Sequence, residues 1–408
     1  MADALPRLDE VPGIDPLHRS FLEVLTEAGF SGEVNRDHAT RLVHATDNSV
    51  YQILPQAVVF PRSQQDLRLL GRLLAEERFA KVTVSPRGGG TGTNGQALTR
   101  GIVVDLSKHL DRILEFNAKE RWVRVEPGVI LDQLNRFLQP HGLFFPPEVS
   151  PSNRATIGGM ISTDASGKGS RIYGKTSRFV LELGLVLSDG STLTTRRLSP
   201  GELQTKLAGT DREAQLLRAV SEVVERSKPL VAERLPKLTR FVTGYDLAHV
   251  IGEDGSVDLS PLVTGSEGTL AFVTEAKLRV VPLPAHRRLV AIRYAAFDDA
   301  LAAARVLVAA DPSAIETTDD IIVELAKGDT VWHRVGHLLG DDSRTAALNL
   351  VEFEGDDASL LDEKVESLVA TLDGELEQPG RAIGYVVAET DKDRAALWDM
   401  RKKGVGLL

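Results

Sequence analysis

The sequence predicts an α+β protein with more than one domain. Short apolar runs typical of strands alternate with amphipathic helical patterns along most of the chain, which is the mixed periodicity of a helix and sheet fold. Two glycine clusters interrupt this alternation before residue 180. A pair of prolines near residue 283 then separates a second region with its own order of strands and helices. At about 150 residues per domain, the 408 residues allow two or three domains.

The first alternation predicts strand, helix, strand, loop and strand. AVVFP is a short apolar run, Ser63 has the position of an N-cap, and QQDLRLLGRLLAEE carries leucines at helical spacing. KVTVS and GIVVDL have the pattern of strands on either side of the first glycine loop. The region therefore predicts a sheet with a loop between two of its strands.

A second alternation follows and ends in a predicted hairpin. RWVRVEPG has a strand pattern and ILDQLNRFL a helical one. LELGLVLSDGSTLTT predicts two strands that turn at Asp189–Gly190, since Asp-Gly is a common hairpin turn. Strands thus flank each loop in the first part of the chain.

The region after Arg287 predicts a separate ferredoxin-like domain. Two strand–helix units follow one another, in RRLVAIRYA, DDALAAARVLVAA and AIETTDDIIVELA, and then in AALNLVEFEG, SLLDEKVESLVATL and IGYVVAET. The boundary is predicted at 281–284, where two prolines interrupt a strand. Since the chain stops directly after an amphipathic helix (DKDRAALWDMRKKGVGLL), we expect this domain to be incomplete and the chain to be a truncated part of a longer polypeptide.

Composition excludes several classes of site and partner. The chain has no Cys, which excludes disulfides, thiolate catalysis and Cys-ligated metal centres within it. Asp and Glu exceed Lys and Arg by 58 to 48, which gives no electrostatic reason to expect nucleic-acid binding. The N-terminus lacks a signal-peptide pattern, and no apolar run has the length of a membrane span. We therefore expect a cytoplasmic protein with no nucleic acid partner and no membrane span.

One glycine cluster matches the dinucleotide fingerprint G-x-G-x-x-G at Gly90, Gly92 and Gly95. That motif binds a pyrophosphate because a helix begins directly after the turn. The following residues, QALTRGIVVDL, predict a loop and then a strand. We therefore do not expect a Rossmann site.

A second match, to the NTPase phosphate loop, begins at Gly169 and ends in Gly174-Lys175-Thr176. The phosphate loop must follow a buried strand and open a helix. The upstream residues GMISTDASGK do not have a strand pattern, and the downstream residues lead into the predicted hairpin. An NTPase, which would lose ATP binding on Lys175→Ala, is therefore not expected.

The segment Pro86–Gly92 has a better interpretation as an anion-binding loop between two strands. Successive glycines can aim several backbone N–H groups into one concavity, and Thr91 and Thr93 add hydroxyl donors. A flexible surface loop explains the same glycines, and the residues alone do not separate the two interpretations.

Six ordered segments between Thr46 and Pro284 resemble a known family. They are TDNSVYQILPQAVVFPRSQQDL, PRGGGTG, PPEVSPSNRATIGGMISTDASGKGSRIYGKT, VLELGLVLSDG, VTGYDL and GSEGTLAFVTEAKLRVVP. This order is similar to the PCMH-type FAD-binding domain of the vanillyl-alcohol oxidase/p-cresol methylhydroxylase superfamily. The closest likeness is to FAD-linked D-2-hydroxyacid dehydrogenases, and among them to large bacterial D-2-hydroxyglutarate dehydrogenases with a downstream iron–sulfur domain.

The resemblance implies a fold and a set of cofactor-binding residues. The fold is a two-subdomain α+β FAD-binding domain followed by the incomplete ferredoxin-like α+β cap. Around the FAD pyrophosphate, the resemblance places Pro86, Arg87, Gly88, Gly89, Gly90, Thr91, Gly92, Thr93 and Asn94. Along the flavin it places Ser150, Thr156, Gly158 and Gly159, and along the ribityl and adenosine portions Asp164, Ala165, Gly167, Tyr173 and Gly174. Against the nucleotide it places Glu267, Gly268 and Val273. Each polar residue has an alternative interpretation as a turn or cap residue.

The sequence departs from the family's pattern at two loop positions, and it lacks the residues that attach FAD covalently in some members. Ala271 stands where relatives commonly have glycine, and Ala165-Ser166-Gly167 replaces a more usual Ala-Gly-Gly. The chain has no Cys, and its glycine loop has no His. The resemblance therefore implies noncovalent FAD.

The resemblance also implies oxidation of a D-2-hydroxyacid by hydride transfer to FAD. LWDMR is similar to the family's Leu-Trp-x-x-Arg segment, which makes Arg401 the candidate clamp for the substrate carboxylate. A solvated helix arginine beside Lys402 and Lys403 is the alternative. The catalytic base, a metal ion and any iron–sulfur cluster are expected only downstream of Leu408. Within this chain no metal is expected, since His333 and His337 lack a third ligand and are interpreted as surface residues.

These inferences give an expected organisation. Residues 1–45 are expected to form an N-terminal helical extension, 46–284 the FAD-binding domain, and 285–408 a partial substrate or cap domain. The expected substrate is D-2-hydroxyglutarate or D-lactate, and the expected partners are an electron acceptor or an iron–sulfur domain or subunit, with a homo-oligomer allowed. Two alternatives remain at this point: a sugar or alcohol oxidoreductase of the same fold, and a noncatalytic FAD-binding module that needs a partner.

Overall fold

The computed structural model describes residues 13–236, 238, 244–340, 344–376, 378 and 380–407. These residues form two compact units. Unit 1 consists of Met1–Ser166 and Lys175–Val281, and unit 2 of Gly167–Gly174 and Pro282–Leu408. The division after Val281 falls within the predicted boundary, whereas the assignment of Gly167–Gly174 to unit 2 differs from the expected single span of 46–284.

The first sheet of unit 1 has four strands in the order β1-β2-β4-β3. These strands are β1 (Glu33–Asn35), β2 (Ala57–Phe60), β3 (Val84–Arg87) and β4 (Ile102–Asp105). β4 pairs in parallel with β2 and β3, and β1 pairs antiparallel with β2. The strand predicted at KVTVS (81–85) begins three residues too early. Pairing with β4 starts only at Val84 and continues through Pro86 and Arg87.

The helices beside this sheet are α1 (Pro16–Glu27), α2 (His38–Val43) and α3 (Gln64–Leu74). The predicted N-cap is confirmed, since the Ser63 side chain accepts a hydrogen bond from the backbone N of Asp66. In α1, Phe21, Leu22 and Leu25 are fully buried in the core that α3, β2 and β4 share. The part of the N-terminal extension that is described is thus not only helical, because β1 adds a strand to the first sheet, while residues 1–12 lie outside the described residues.

The second sheet of unit 1 is antiparallel and has the order β5-β6-β10-β8-β9. Its strands are β5 (Ile113–Asn117), β6 (Trp122–Val125), β8 (Val180–Leu187), β9 (Thr192–Arg196) and β10 (Ala271–Arg279). A short strand, β7 (Leu143–Phe144), lies between β6 and β8 in sequence. The associated helices are α4 (Leu131–Leu138), α5 (Ile157–Ser162), α7 (Pro200–Leu207), α8 (Arg212–Arg234) and α9 (Ser260–Val263).

The predicted hairpin is confirmed as β8 and β9. Val186 pairs with Thr192, and the turn between the strands contains Asp189 and Gly190. Gly190 has φ of +76°, a conformation that glycine adopts without a Cβ clash. Gly71 of α3 packs against this turn so closely that a Cβ there would lie 2.6 Å from the Gly190 backbone N. The two sheets of unit 1 are therefore connected through α3.

Unit 2 has an antiparallel sheet in the order β13-β14-β12-β15. After the short strand β11 (Val281–Pro282), its strands are β12 (His286–Tyr294), β13 (Ala314–Thr318), β14 (Ala347–Gly355) and β15 (Gly384–Val387). This is the ferredoxin-like order that two strand–helix–strand units give, as predicted. All four of its strands occur among the described residues.

Helices cover both faces of this sheet. On one face lie α10 (Phe297–Leu307) and α13 (Ala358–Glu375), and on the other α11 (Asp320–Lys327), α12 (Trp332–Leu339) and α14 (Asp391–Leu407). The remaining helix of the unit is the short α6 (Ser170–Tyr173). Across the described parts of both units, the helices fall short of the length and apolar character that a bilayer span requires.

Candidate functional site

The predicted anion loop follows β3 and packs against a turn of unit 1. A Cβ added to Gly88 would lie 2.1 Å from the Thr156 Oγ1, and one added to Gly89 would lie 2.1 Å from the backbone O of Arg154. Gly90 has φ of +61°. These positions therefore require glycine, for close approach at the first two and for a left-handed backbone at the third.

The turn that meets this loop leads into α5. Thr156 is its N-cap, is 2% exposed, and accepts a hydrogen bond from the backbone N of Gly159 at 3.2 Å. Gly158 faces Pro127, whose Cβ would lie 2.6 Å from an added Cβ. Ser150 lies in the chain turn just before this segment. The predicted residues Thr156, Gly158 and Gly159 thus hold the start of α5 against the rest of unit 1.

A third predicted segment, around Glu267 and Gly268, meets the other two. A Cβ on Gly268 would lie 2.3 Å from the Pro86 Cγ, next to the anion loop. The backbone N of Glu267 donates to Ser162 O at 2.8 Å, at the end of α5. Glu267 itself has φ of +52°, an uncommon conformation for a residue with a side chain. The structure therefore brings together three segments that are far apart in sequence.

The far part of the loop is fixed by its own side chains. The Oε1 of Gln96 accepts a hydrogen bond from the backbone N of Asn94 at 3.0 Å. An added Cβ at Gly92 would lie 2.7 Å from the same side chain. Thr91 is half-buried and Thr93 is exposed. Gln96 was not identified from the sequence, and only its place two residues after Asn94 in a glycine-rich turn could have indicated this role.

Arg87 braces the loop from behind. Its guanidinium donates to the backbone O of Thr46 at 2.7 Å and to that of His44 at 3.4 Å. Burial lowers the pKa of Arg87, and the nearby carboxylates of Asp105 and Asp47 oppose that shift. The arginine thus supports the loop in this structure, and the contact with the pyrophosphate that the resemblance implies for it stays a prediction.

Asp164 uses its carboxylate within unit 1. Its Oδ1 accepts from the backbone N of Ser177 at 2.8 Å, and its Oδ2 lies 2.5 Å from the Lys175 Nζ. Its backbone φ is +46°. The O of Ala165 accepts from the Thr176 hydroxyl at 2.7 Å. These hydrogen bonds and the ion pair hold residues 164–165 next to residues 175–177.

The same contacts bear on the phosphate-loop motif. Lys175 is paired with Asp164, and residues Thr176–Phe179 form a single 3₁₀ turn that leads into β8. No α-helix follows the motif there, so the structural requirement of an NTPase loop is not met. The first motif also lacks its helix, because Gly95 is followed by loop and then by β4.

The Tyr245–His249 segment, for which the sequence indicated no role, forms side-chain contacts of its own. The Tyr245 hydroxyl and the Thr269 hydroxyl lie 2.7 Å apart, and the His249 Nδ1 lies 2.6 Å from the Asp246 Oδ2. The hydrogen bond to Asp246 raises the pKa of His249, against the effect of burial. The Asp-x-x-His spacing was the available signal for this pair.

Other predicted cofactor residues have different surroundings. Val273 lies in β10 and is buried. Gly167, Tyr173 and Gly174 belong to unit 2, where the Tyr173 side chain hydrogen-bonds Glu354. Burial raises the pKa of that glutamate. These three residues thus belong to unit 2, and the contact with FAD that the resemblance implies for them stays a prediction.

Arg401, the candidate carboxylate clamp, lies on α14 in unit 2. Its Nη2 is 2.6 Å from the Glu316 Oε2 on β13, and its side chain is partly exposed. Arg401 is therefore not a purely solvated helix arginine, which was the alternative interpretation. Since a guanidinium has five N–H donors in a planar fork, one ion pair is compatible with a second, bidentate contact to a carboxylate.

Of the two histidines of α12, His337 has an acidic neighbour. His337 Nε2 lies 3.8 Å from the Asp393 Oδ1, and the side chain of Arg334, between the histidines, pairs with Asp399 at 2.8 Å. Among the described residues, no group of three or more His, Asp or Glu side chains has the arrangement of a metal site.

The donor set of unit 1 fits an FAD diphosphate. Three glycine-rich segments approach one another so closely that side chains at Gly88, Gly89 and Gly268 would collide with protein atoms. Backbone N–H groups and hydroxyls in such a cradle are suitable donors to diphosphate oxygens. This part of the chain therefore has the donors that the diphosphate of a dinucleotide cofactor requires.

Comparisons with known families agree with this assignment. The family model described as "FAD binding domain" matches residues 55–196, and the one described as "FAD linked oxidases, C-terminal domain" matches residues 283–408. Together they cover about half of unit 1 and nearly all of unit 2.

The chain is also similar to named relatives. It is 48% identical to the D-2-hydroxyglutarate dehydrogenases of Pantoea ananatis and Escherichia coli, and the alignments cover 99% of this chain and 40% of those proteins. The chain thus spans about two fifths of their length. A solved structure titled alkyldihydroxyacetonephosphate synthase has a TM-score of 0.64 at 17% identity, covering 96% of this chain and 64% of that one, which supports the fold alone.

Proposed function

This chain belongs to the FAD-linked oxidase family, and we propose that it takes part in the oxidation of a D-2-hydroxyacid to the 2-oxoacid. D-2-hydroxyglutarate is the first candidate substrate, because the relatives at 48% identity carry that name, and D-lactate is the second. The observation that carries the proposal is the convergence of the segments around Gly88, Thr156 and Gly268 in unit 1.

In the proposed reaction, the residues of unit 1 hold the cofactor without a covalent bond. The loop 88–94 offers backbone N–H groups to the diphosphate, and Arg87 keeps that loop in place through its bonds to His44 and Thr46. Bound FAD would supply the acceptor for the hydride that leaves the hydroxyl-bearing carbon of the substrate.

The role proposed for unit 2 is to bind the substrate. Arg401 would pair with the carboxylate next to that carbon, while Glu316 holds the guanidinium in one orientation. A base must also remove the hydroxyl proton. We propose that this base, and any metal ion or iron–sulfur cluster, belongs to the length of the relatives that this chain does not match.

The proposed partners follow from the same assignment. They are a small 2-hydroxyacid substrate and an electron acceptor, which can be an iron–sulfur domain or subunit. This chain has no Cys with which to hold an iron–sulfur cluster itself. A cytoplasmic location and a homo-oligomer remain proposals from the sequence.

The direct test is anaerobic reduction of the bound flavin. The FAD-loaded chain is mixed with D-2-hydroxyglutarate, D-lactate or their L enantiomers, and the loss of flavin absorbance is followed with and without the purified remainder of a full-length relative. We expect bleaching by a D enantiomer only, slowed in Arg401→Met. A chain that holds FAD but is never bleached, even with that remainder present, would support the noncatalytic module instead.

A further inference from the structure

Two glutamates of unit 2 lie on the same face of adjacent strands. Glu316 of β13 pairs directly with Leu350 of β14, and Glu352 is two residues further along β14. Residues directly opposite each other, and residues two apart on one strand, share a face of a sheet. Glu316 and Glu352 are thus diagonal neighbours, with backbones about 7–8 Å apart.

Each of these carboxylates holds one cation. The Arg401 Nη2 lies 2.6 Å from Glu316, and the Lys168 Nζ lies 2.8 Å from the Glu352 Oε2. The second oxygen of Glu352 accepts from the Trp398 Nε1 at 2.9 Å. Lys168 also lies over the Trp398 ring, 4.5 Å from its centroid. Trp398 and Arg401 are three residues apart on α14 and so lie on neighbouring turns of one helix face.

The burial of these groups differs in a way that suits ligand binding. The Glu352 side chain is 3% exposed, whereas those of Lys168 and Arg401 are 18% and 23% exposed. The Glu352 carboxylate therefore lies beneath Lys168, whereas Glu316 and Arg401 are about equally exposed, at 22% and 23%. An ammonium group has three N–H donors and a guanidinium five, so each of these cations can contact more than one acceptor.

We propose that Lys168 selects a dicarboxylic substrate. Arg401 binds the carboxylate beside the hydroxyl-bearing carbon, as in the proposed function on which this inference rests, and Lys168 binds the second carboxylate at the far end of a five-carbon chain. Because Glu316 and Glu352 share one face of the sheet, the two cations lie on that face, as a ligand with a carboxylate at each end requires. A monocarboxylate such as D-lactate leaves Lys168 without a new contact, so the pair discriminates between the two candidate substrates.

Two ligands of equal length test this role. D-2-hydroxyglutarate and D-2-hydroxyvalerate differ only in whether the far carbon is a carboxylate. Their affinities for the FAD-loaded chain are measured by calorimetry. We expect the unchanged chain to prefer the diacid by about ten- to a hundredfold, the value of one charge-assisted hydrogen bond. In Lys168→Met this preference disappears while the affinity for the valerate is kept.

Control variants separate recognition from structure. Lys327→Met removes a lysine of α11 that pairs with Glu324, and should leave both affinities unchanged. Lys168→Arg keeps the charge and should keep part of the preference. Because Lys168→Met leaves the buried Glu352 without its cation, the double variant Lys168→Met/Glu352→Gln removes both charges and should show the same lost preference with FAD retained.

The outcomes are distinguishable. A preference that survives in Lys168→Met or in the double variant overturns the role of Lys168, and so does an equal loss of both affinities, since that indicates a structural role. If neither ligand binds the unchanged, FAD-loaded chain, the proposed function fails, and this inference fails with it.

Discussion

At the scale of single residues, glycine at the anion loop is required by packing as well as by backbone conformation. Gly89 is the clearest case, because an added Cβ would lie 2.1 Å from the backbone O of Arg154. A backbone oxygen cannot rotate away as the end of a side chain can. The loop and the Arg154–Thr156 turn can therefore meet only if position 89 has no side chain.

The substitution Gly89→Ala should separate the loop from that turn. We expect FAD affinity to fall by at least about tenfold, measured by fluorescence titration of the apoprotein with FAD. Gly201→Ala is the matched control, since nothing lies within 4 Å of an added Cβ at this position in α7. Equal affinity in Gly89→Ala and Gly201→Ala would contradict the assignment of the loop.

His249 gives a residue-scale prediction about pH. Its hydrogen bond to Asp246 raises its pKa above the ordinary value of 6.5. A raised pKa means that the folded state favours the protonated ring, so this contribution to stability is complete below pH 6.5 and is lost as the pH rises through the folded-state pKa. Asp246→Asn keeps an oxygen for the turn but removes the charge.

We therefore expect the His249 ring to titrate above 6.5 in the unchanged chain and at a lower pH in Asp246→Asn. NMR titration of the ring protons measures both values. A His249 titration that is identical in the two proteins would show that the contact to Asp246 does not determine its protonation.

At the scale of elements, α1 belongs to the core of unit 1. Phe21 is fully buried, and its ring meets that of Phe79 edge to face with centroids 5.1 Å apart. β1 then joins the first sheet beside β2. The sequence indicated helices here but not this strand, because three residues are too few for a periodic pattern.

Phe21→Ala should accordingly destabilise the whole of unit 1. We expect a loss of about 3–5 kcal/mol in the free energy of unfolding, as for other buried phenylalanines, measured by denaturant titration. Phe297→Ala is the control, because Phe297 at the start of α10 is 37% exposed. If the two variants lost equal stability, the N-terminal region would not be part of the core.

Other elements were predictable because local chemistry determines them. Ser63 caps α3 with its own side chain, and Asp189–Gly190 turns the hairpin through a left-handed glycine. The loop at Gly88–Gly90 was identifiable from its glycines, but its partner Gly268 was identified only through resemblance, and its partner Arg154 was not identified. Contacts across such distances depend on tertiary packing, which no local pattern encodes.

At the scale of the whole molecule, the contacts of the segment Gly167–Gly174 could likewise not be predicted from a local sequence pattern. It lies within the sequence of the FAD-binding domain, yet it is grouped with unit 2. Its pairs, Lys168 with Glu352 and Arg171 with Asp311, join residues separated by 184 and 140 positions. Only the folded chain reveals that a cation from the glycine-rich region stands beside Trp398 of α14.

The central claim is that unit 1 holds one FAD without a covalent bond, and the absorbance spectrum of the purified chain tests it most directly. We predict the two visible bands of oxidised flavin, at a ratio of one FAD per chain, with all of the flavin released into the supernatant when the protein is denatured. A colourless preparation that does not take up FAD on reconstitution, or flavin that stays attached to the denatured chain, would contradict it.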